Sequence, residues 1–425
     1  MVIIGGGIIG VMTGWQLVQK GVRAVVVEKG RVAGEQTSRN WGWIRQQGRH
    51  ASEIPIMAEA NRLWRAMAKQ TNEDIGLRQA GVTYLAKDAA EMARYETWMN
   101  SAAAHDIDTR LLSGAEVAQA LPGLSRSYPG AMQTPSDLRA EPWVAISALA
   151  RAAVRDGLVI VENCAVRGLD MAAGRVAGVV TEAGPIAAPS VVLAGGAWSA
   201  LFLRRHGVAL PQLSVRANVL VTEPLSQPFE TAAADHKISW RPRMDGGFTV
   251  APKSYPELFV GPDAFRALPA YAGQLKADPL GVKLRPAAPS GYPDAWGTPR
   301  RWADDAESPF ERMRILNPTP NRRKIAEILG QFADRFPGLG PVKMRTSWAG
   351  MIDTMPDVLP VVDHVGPIPG LTLATGMSGH GFGIGPAIGR IVADLVMGAA
   401  PGHDMRSFRF ARFSDGSPIR PGPGP

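Results

Sequence analysis

Three glycines, Gly5, Gly7 and Gly10, follow an apolar run at the start of the chain with the spacing G-x-G-x-x-G. That spacing holds a dinucleotide pyrophosphate: the first glycine makes the tight turn, the second lets backbone approach the phosphates, and the third lets a helix lie close on the strand. The residues that follow supply the matching context. Ile9, Met12 and Leu17 recur at helical spacing, Gly21 ends the helix, and the apolar run Val22 to Val27 stops at Glu28, placed to hold a ribose hydroxyl. A second glycine cluster, Met377-Ser-Gly-His-Gly-Phe-Gly-Ile-Gly-Pro386, follows an apolar run from Gly370 to Gly376 and precedes an amphipathic stretch, Ala387 to Met397. Pro386 fits the first turn of a helix there. Bare backbone amides near that helix N-terminus suit a developing negative charge, such as a reduced flavin carries on its pyrimidine edge.

The elements that must position these residues can be read from periodicity. Residues 51–70 carry Ile54, Met57, Ala60, Leu63, Trp64 and Met67 at helical spacing, Gly81 to Ala86 reads as a strand, and Ala89 to His105 reads as a helix. Short strands then dominate: Val159 to Cys164, Ala165 to Met171, a turn at Gly174, Val176 to Glu182, and Val191 to Leu193 entering Ala194-Gly-Gly-Ala-Trp-Ser199. This returns the chain to a nucleotide-binding sheet after an excursion. Strands recur at Leu213 to Val221 and Phe248 to Ala251, and a helix at Lys324 to Phe336. Between Pro252 and Pro309 stand ten prolines with little periodicity, which predicts a long irregular segment of the kind that forms a lid. The tail from Ser414 to Pro425 is too rich in Gly and Pro to join a core.

Bulk properties narrow the function classes. A chain of 425 residues can bury a large core and divide into two domains. The net charge is +8, but basic residues are dispersed among acids without an interleaved aromatic stripe, which argues against nucleic acid and for an anionic substrate. Cys164 is the only cysteine, in a run that reads as a buried strand, so an intrachain disulfide, a thiolate metal cluster and paired redox thiols are excluded. No His, Asp and Glu spacing suggests a metal, and no Ser or Cys nucleophile motif is present. No run reaches the roughly 18 apolar residues that span a membrane, and no leader is apparent, so a soluble cytoplasmic protein is expected. Met1 stands only four residues before Gly5, which points to a chain shortened at its start or a start placed late.

With the second glycine cluster in place, the chain resembles the D-amino-acid oxidase-like flavoproteins, the family that includes sarcosine oxidase, glycine oxidase and D-amino-acid dehydrogenases. The resemblance rests on Val2 to Glu28, on Ala194 to Ser199, and on Trp348 to Ile391, with Trp348-Ala-Gly350, Met355-Pro-Asp357 and Ser378-Gly-His-Gly-Phe382 as its signatures. It implies FAD, and an α/β fold in which a Rossmann-like, glutathione-reductase-type FAD-binding domain is joined by a mixed-sheet α+β substrate domain. The FAD-binding domain is expected to be discontinuous, from residues 1–80, 140–205 and 345–412. Residues 81–139 and 206–344 are expected to form the substrate domain, and 413–425 a flexible tail.

Residue by residue, the resemblance places Gly5, Gly7, Ile8, Ile9 and Gly10 around the pyrophosphate, with Thr37, Ser38 and Asn40 beside it. Glu28 and Lys29 fall to the adenosine ribose side, and Val166 reaches the adenine through its backbone. Trp41, Gly42, Gly195 and Trp198 extend the cofactor contacts, and Gly350, Gly379, His380, Gly381, Phe382 and Gly383 meet the flavin end. Trp43-Ile-Arg-Gln46 is similar to the stretch in sarcosine oxidase whose arginine clamps the substrate carboxylate, which implies that role for Arg45. His380 stands as a flavin-contacting residue or an active-site base, Trp41 and Trp43 either wall the pocket or pack, and Arg241, with Arg243, is a second-choice carboxylate partner.

Three departures from the family pattern matter. Ile352 occupies the place of the glycine oxidase arginine, Gly350-Met-Ile-Asp353 lacks the cysteine that anchors flavin covalently in sarcosine oxidase, and Gly383 and Thr249 replace two lysines of that enzyme. FAD is therefore expected to be non-covalent. The implied reaction is oxidation of the C–N bond of an amino acid or N-substituted amino acid by hydride transfer to flavin N5, giving an imine that hydrolyses. Electrons would pass to oxygen or to a quinone or carrier. Two alternatives stay open: a secondary-amine or opine dehydrogenase subunit, and a flavin-binding subunit without catalysis. An NAD-dependent dehydrogenase would leave the Ser378-Gly-His-Gly cluster without a task.

Overall fold

In the computed structural model, which describes residues 1–420, the first strand is only Val2–Ile4 and lies at the centre of a six-stranded sheet. Its order is Val361–His364, Leu371–Thr375, Val191–Leu193, Val2–Ile4, Val25–Val27 and Val159–Val161. Every pairing is parallel except that of the edge strand Val361–His364 with Leu371–Thr375. The strands are short and almost wholly apolar because helices cover the sheet. The helices Ile8–Gln19 and Gly381–Val396 pack against each other, with Ile54–Gln70 beside them, and Met12, Trp15, Trp64 and Ile388 are fully buried in their shared core. Gly389 permits that contact, since a Cβ there would run into the Met12 backbone.

An antiparallel meander, Val166–Ala172, Arg175–Thr181 and Gly184–Ala187, leaves and re-enters this sheet as expected, turning at Ala173 and Gly174, both with positive φ. A larger, mostly antiparallel sheet carries Val82–Leu85, Gly130–Thr134, Leu213–Thr222, Phe248–Pro252 and Met344–Thr354 among its strands. The pair Leu213–Thr222 and Met344–Thr354 runs in long antiparallel register, Ala217 opposite Gly350 and Val219 opposite Trp348. This ribbon reaches from the larger sheet to the turn before the helix Gly381–Val396, where the Ser378 amide donates to the Asp353 carbonyl at 3.0 Å.

Two expectations are corrected. The 252–309 segment is not irregular throughout: it contains the strand Glu257–Phe259, the helix Pro262–Ala277 and the strand Lys283–Arg285. Pro262 sits in the first helical turn, where a missing N–H costs nothing, while Pro269 is tolerated inside the helix, so proline count misled. The last large helix starts at Gly381, not Ala387, and Pro386 lies within it. Tertiary burial holds this glycine- and proline-rich start helical, since Phe382 to Asp394 is almost continuously buried. Of the tail, residues 421–425 lie outside the described residues. No helix among the described residues is long and apolar enough to cross a membrane.

Candidate functional site

Two clefts meet above the carboxyl ends of the six-stranded sheet, the usual ligand position in such folds. The first, of about 750 Å3, is lined by Gly5, Gly7, Glu28, Lys29, Val166 and Gly195 with Trp198. The second, of about 1190 Å3, is lined by Ile8, Ile9, Arg45, Gly350, His380 and Gly381 among others. Gly7, Gln36, Thr37, Ala194 and Gly196 line both, so the two form one elongated trough with a waist at the first glycine motif.

The waist suits a pyrophosphate. Gly5 has φ +109°, and a Cβ there would sit 2.5 Å from the Ala194 carbonyl oxygen. Gly7 has ordinary extended backbone at the N-cap of Ile8–Gln19, and a Cβ would enter the trough with only Thr37 Oγ1 nearby, at 3.2 Å. Gly7, at the N-cap, has no side chain to cap that helix. Its positive end is thus open to a ligand anion, with Thr37 Oγ1 accepting from the Ile8 amide at 3.1 Å. Glu28 closes the first cleft at the end of Val25–Val27, its two oxygens accepting from Gly6 and Gly30 amides at 2.7 Å each. Burial raises its carboxyl above the ordinary range against these hydrogen bonds. Lys29 donates to Glu35 at 2.6 Å and lies over Trp198 at 4.4 Å.

At the other end two helix starts face each other. His380 stands at the N-cap position of Gly381–Val396 and Glu53 at that of Ile54–Gln70, neither side chain bonding its own helix, and His380 Nδ1 lies 3.0 and 3.1 Å from the two Glu53 oxygens. Glu53 is fully buried and His380 is 3% exposed. Burial and Arg49 lower the imidazole to about 4 despite Glu53, so it is neutral at pH 7. An ionised Glu53 accepts a hydrogen bond from the Nδ1–H, which leaves Nε2 as an acceptor; that buried atom has no partner, and His380 is among the residues lining the trough. Beside it lie Arg45 and Arg49, on the loop between the strand Trp43–Ile44 and the helix at Ile54. Arg45 Nη1 donates to the Gln47 carbonyl at 2.6 Å, and its guanidinium stands 5.5 Å from the Tyr84 ring centroid. Ala217, Val219, Gly350 and Ile352, from the two-stranded ribbon, form the apolar side.

The structure thus gathers Arg45, His380, Gly350, Gly379, Gly381, Phe382, Asn40 and Trp41 around the second cleft. Ser38, Gly42, Gly383 and Arg241 do not line it. Ser38 donates to the Glu35 carbonyl, and Gly42, with φ +81°, receives the Asn40 side chain on its amide at 2.6 Å. Gly383 accepts from Trp64 Nε1 through its carbonyl at 3.0 Å. Arg241 is 1% exposed and pairs in two-point fashion with Glu141 at 2.8 and 2.9 Å, its Nε also donating to the Trp41 carbonyl. It braces the wall rather than facing the trough. Gly10 lies beneath the waist, where a Cβ would overlap the Gly5 carbonyl.

Arg49, Glu53 and Asp137 escaped the sequence reading. Arg49 and Glu53 stand at i+4 and i+8 from Arg45, a spacing that hints at a shared face only once the Glu53 helix cap is known. Asp137 is fully buried and accepts from the Gln46 amide at 2.7 Å, and burial raises its carboxyl to about 7 against that amide, the Gln46 side chain and Arg45. Its folded value stands above its unfolded value of 3.8, so ionisation opposes folding: the penalty is absent below pH 3.8, grows between 3.8 and 7, and is complete above 7. The isosteric substitution Asp137→Asn is accordingly expected to stabilise the protein at pH 8, by about 4 kcal/mol at most, and to lose that gain at pH 4. Urea unfolding at the two pH values measures it, and an equal effect at both would remove Asp137 from the titrating groups.

With this geometry in hand, the chain compares clearly with known proteins. The family described as FAD dependent oxidoreductase matches residues 1–395. The chain belongs to this family of flavoproteins, whose cofactor is FAD. It is 25% identical over 422 residues to mitochondrial sarcosine dehydrogenase of Mus musculus, covering 97% of this chain and 41% of that protein. The chain therefore spans about two fifths of the length of that relative. Sarcosine oxidase subunit beta of Rhizobium meliloti is 26% identical over 424 residues, covering 98% of this chain and 88% of that one. Among solved structures, L-amino acid deaminase from Proteus myxofaciens, in complex with anthranilate, superposes with a TM-score of 0.92 at 30% identity, covering 97% of this chain and 93% of that one.

Proposed function

We propose that the protein is an FAD-dependent oxidoreductase that oxidises the C–N bond of an amino acid or N-substituted amino acid. The observation that carries this reading is the continuous trough: a dinucleotide cradle at one end, two helix starts at the other, and buried Arg45 beside a neutral His380 where the flavin end leads. Glu28, Gly7 and Gly381 are the residues that would hold FAD along the trough, and bound FAD would supply the hydride acceptor. The chain's own residues do the positioning. Arg45 holds the substrate carboxylate, His380 Nε2 accepts a hydrogen bond from the amine, and the amides at the start of Gly381–Val396 face the charge that arrives during reduction. The imine then hydrolyses.

Residues 1–80, 140–205 and 345–412 would form the FAD-binding part and the segments between them the substrate part. We place the protein in the cytoplasm, in keeping with its single buried Cys164. Oxygen, a quinone or an electron carrier serves as acceptor, and likeness to a protein named as an oxidase subunit supports a partner chain.

Anaerobic stopped-flow mixing of the FAD-loaded protein with D-, L- and N-methyl amino acids and with simple amines tests the reading. Bleaching of the flavin by amino acids, and not by amines lacking a carboxylate, is expected. Re-oxidation on admitting air separates oxidase from dehydrogenase. Failure of every compound to bleach it would leave a flavin-binding subunit.

A further inference from the structure

Seven arginines of the described chain are buried. Five of them pair with a carboxylate, as Arg335 does with Asp235 and Arg412 with Asp357, each at 2.7 Å. The two without a carboxylate within 4.0 Å are Arg45 and Arg49, which stand four residues apart and both line the second cleft. A buried guanidinium without a counter-charge is costly, and two side by side repel each other, so this pairing is retained only if something outside the chain repays it.

Arg49 is 5% exposed. Its Nε makes one long contact to the Arg45 carbonyl oxygen, at 3.4 Å, and its Nη1 has no partner. It remains a cation at neutral pH, lowered to about 9 by burial and by Arg45. The acids nearby do not claim it. Both Glu53 oxygens face His380 Nδ1, and Asp137, with its carboxyl raised to about 7 by burial, accepts from the Gln46 amide instead. One substrate carboxylate answers one of the two guanidiniums.

Resting on the amino-acid reading above, we propose that the substrate carries two carboxylates, the α-carboxylate on Arg45 and a second one, on the side chain or on the nitrogen substituent, on Arg49. The substrate class is thus an amino-dicarboxylate, and Arg49 is the residue that selects it. The dispersed positive charge of the chain, +8 overall, would draw such an anion towards the trough.

The test titrates FAD-loaded protein with unreactive acids and follows the flavin absorption band, so it reads binding without turnover. Succinate and glutarate are expected to bind at least ~30-fold more tightly than butyrate or valerate, the gain of one charged hydrogen-bonded contact. Arg49→Gln should bring that ratio close to one while moving the monocarboxylates little, and Arg49→Lys should retain part of it. Equal binding of mono- and dicarboxylates by the unaltered protein would overturn the proposal, a reading that needs no variant to fold. Equal weakening of both classes by Arg49→Gln would also overturn it, because the two arginines would then share one carboxylate. If dicarboxylates bind through Arg49 while no amine bleaches the flavin, the subsite stands and the amine reading falls. If amino acids bleach it without preference for acidic ones, the reading stands and the subsite falls.

Discussion

Replacing Arg45 with alanine is expected to raise KM for an amino-acid substrate roughly 100-fold, with kcat lowered far less and the flavin content of the purified protein unchanged. The size follows from losing a charge-assisted hydrogen bond to a carboxylate inside a desolvated cleft, about 3 kcal/mol. The split follows from location. Arg45 lines the second cleft, and a substrate carboxylate held there keeps its full charge throughout the reaction, so it is bound as firmly in the ground state as in the transition state. Stability should scarcely fall. Arg45 has no carboxylate partner whose burial would become uncompensated, and its removal relieves repulsion from Arg49. Steady-state kinetics with a paired thermal melt checks both halves. An unchanged KM would exclude Arg45 as the clamp. Arg241 offers the contrast, because its loss would take the two-point partner from buried Glu141, leaving it Arg243 at 3.7 Å, and appear as instability.

How legible such a site is in sequence depends on the range of the interactions that build it. The nucleotide cradle is local: Gly5, Gly7 and Gly10 act through backbone conformation within one turn, and Glu28 ends the adjacent strand, so thirty residues contain the whole device. The elements with strong periodicity, such as Ile54–Gln70 and Ala89–Ala103, were equally open to reading. The helix Pro262–Ala277 was not, since its prolines carry the signature of a loop while its packing through Ala267 and Tyr271 belongs to distant partners. The same applies to the second cleft. Glu53 and His380 are separated by 327 residues and meet only because two helices start at one place. Arg49 becomes conspicuous only against the carboxylates that the other buried arginines possess, which is a property of the folded interior. Arg241 looked like a ligand for the opposite reason: its partner Glu141 lies a hundred residues away, and nothing in the sequence reveals that it is already satisfied.

A valine at position 7 should cost the protein its flavin and leave the fold. The glycines of the motif differ in what a side chain would meet. At Gly5 the backbone has φ +109° and a Cβ approaches the Ala194 carbonyl, and at Gly10 it overlaps the Gly5 carbonyl, so substitution at either deforms the strand-to-helix turn itself. Gly7 has φ −73° and ψ 177°, which any L-residue adopts, and its Cβ would touch only Thr37 Oγ1. The added carbon atoms therefore occupy the waist of the trough rather than the core, and the helix start would no longer admit a pyrophosphate. The Kd for FAD should rise by a factor of at least about 100. Saturating FAD that stabilises the unaltered protein by roughly 2.7 kcal/mol at a hundred times its Kd should then stabilise the variant by less than about 0.5 kcal/mol. Far-UV circular dichroism and the melting temperature of the flavin-free forms should coincide, and only the unaltered protein should be yellow after purification. A Gly7→Val protein that keeps its flavin would place the pyrophosphate elsewhere in the trough, and with it the direction in which FAD points towards Arg45.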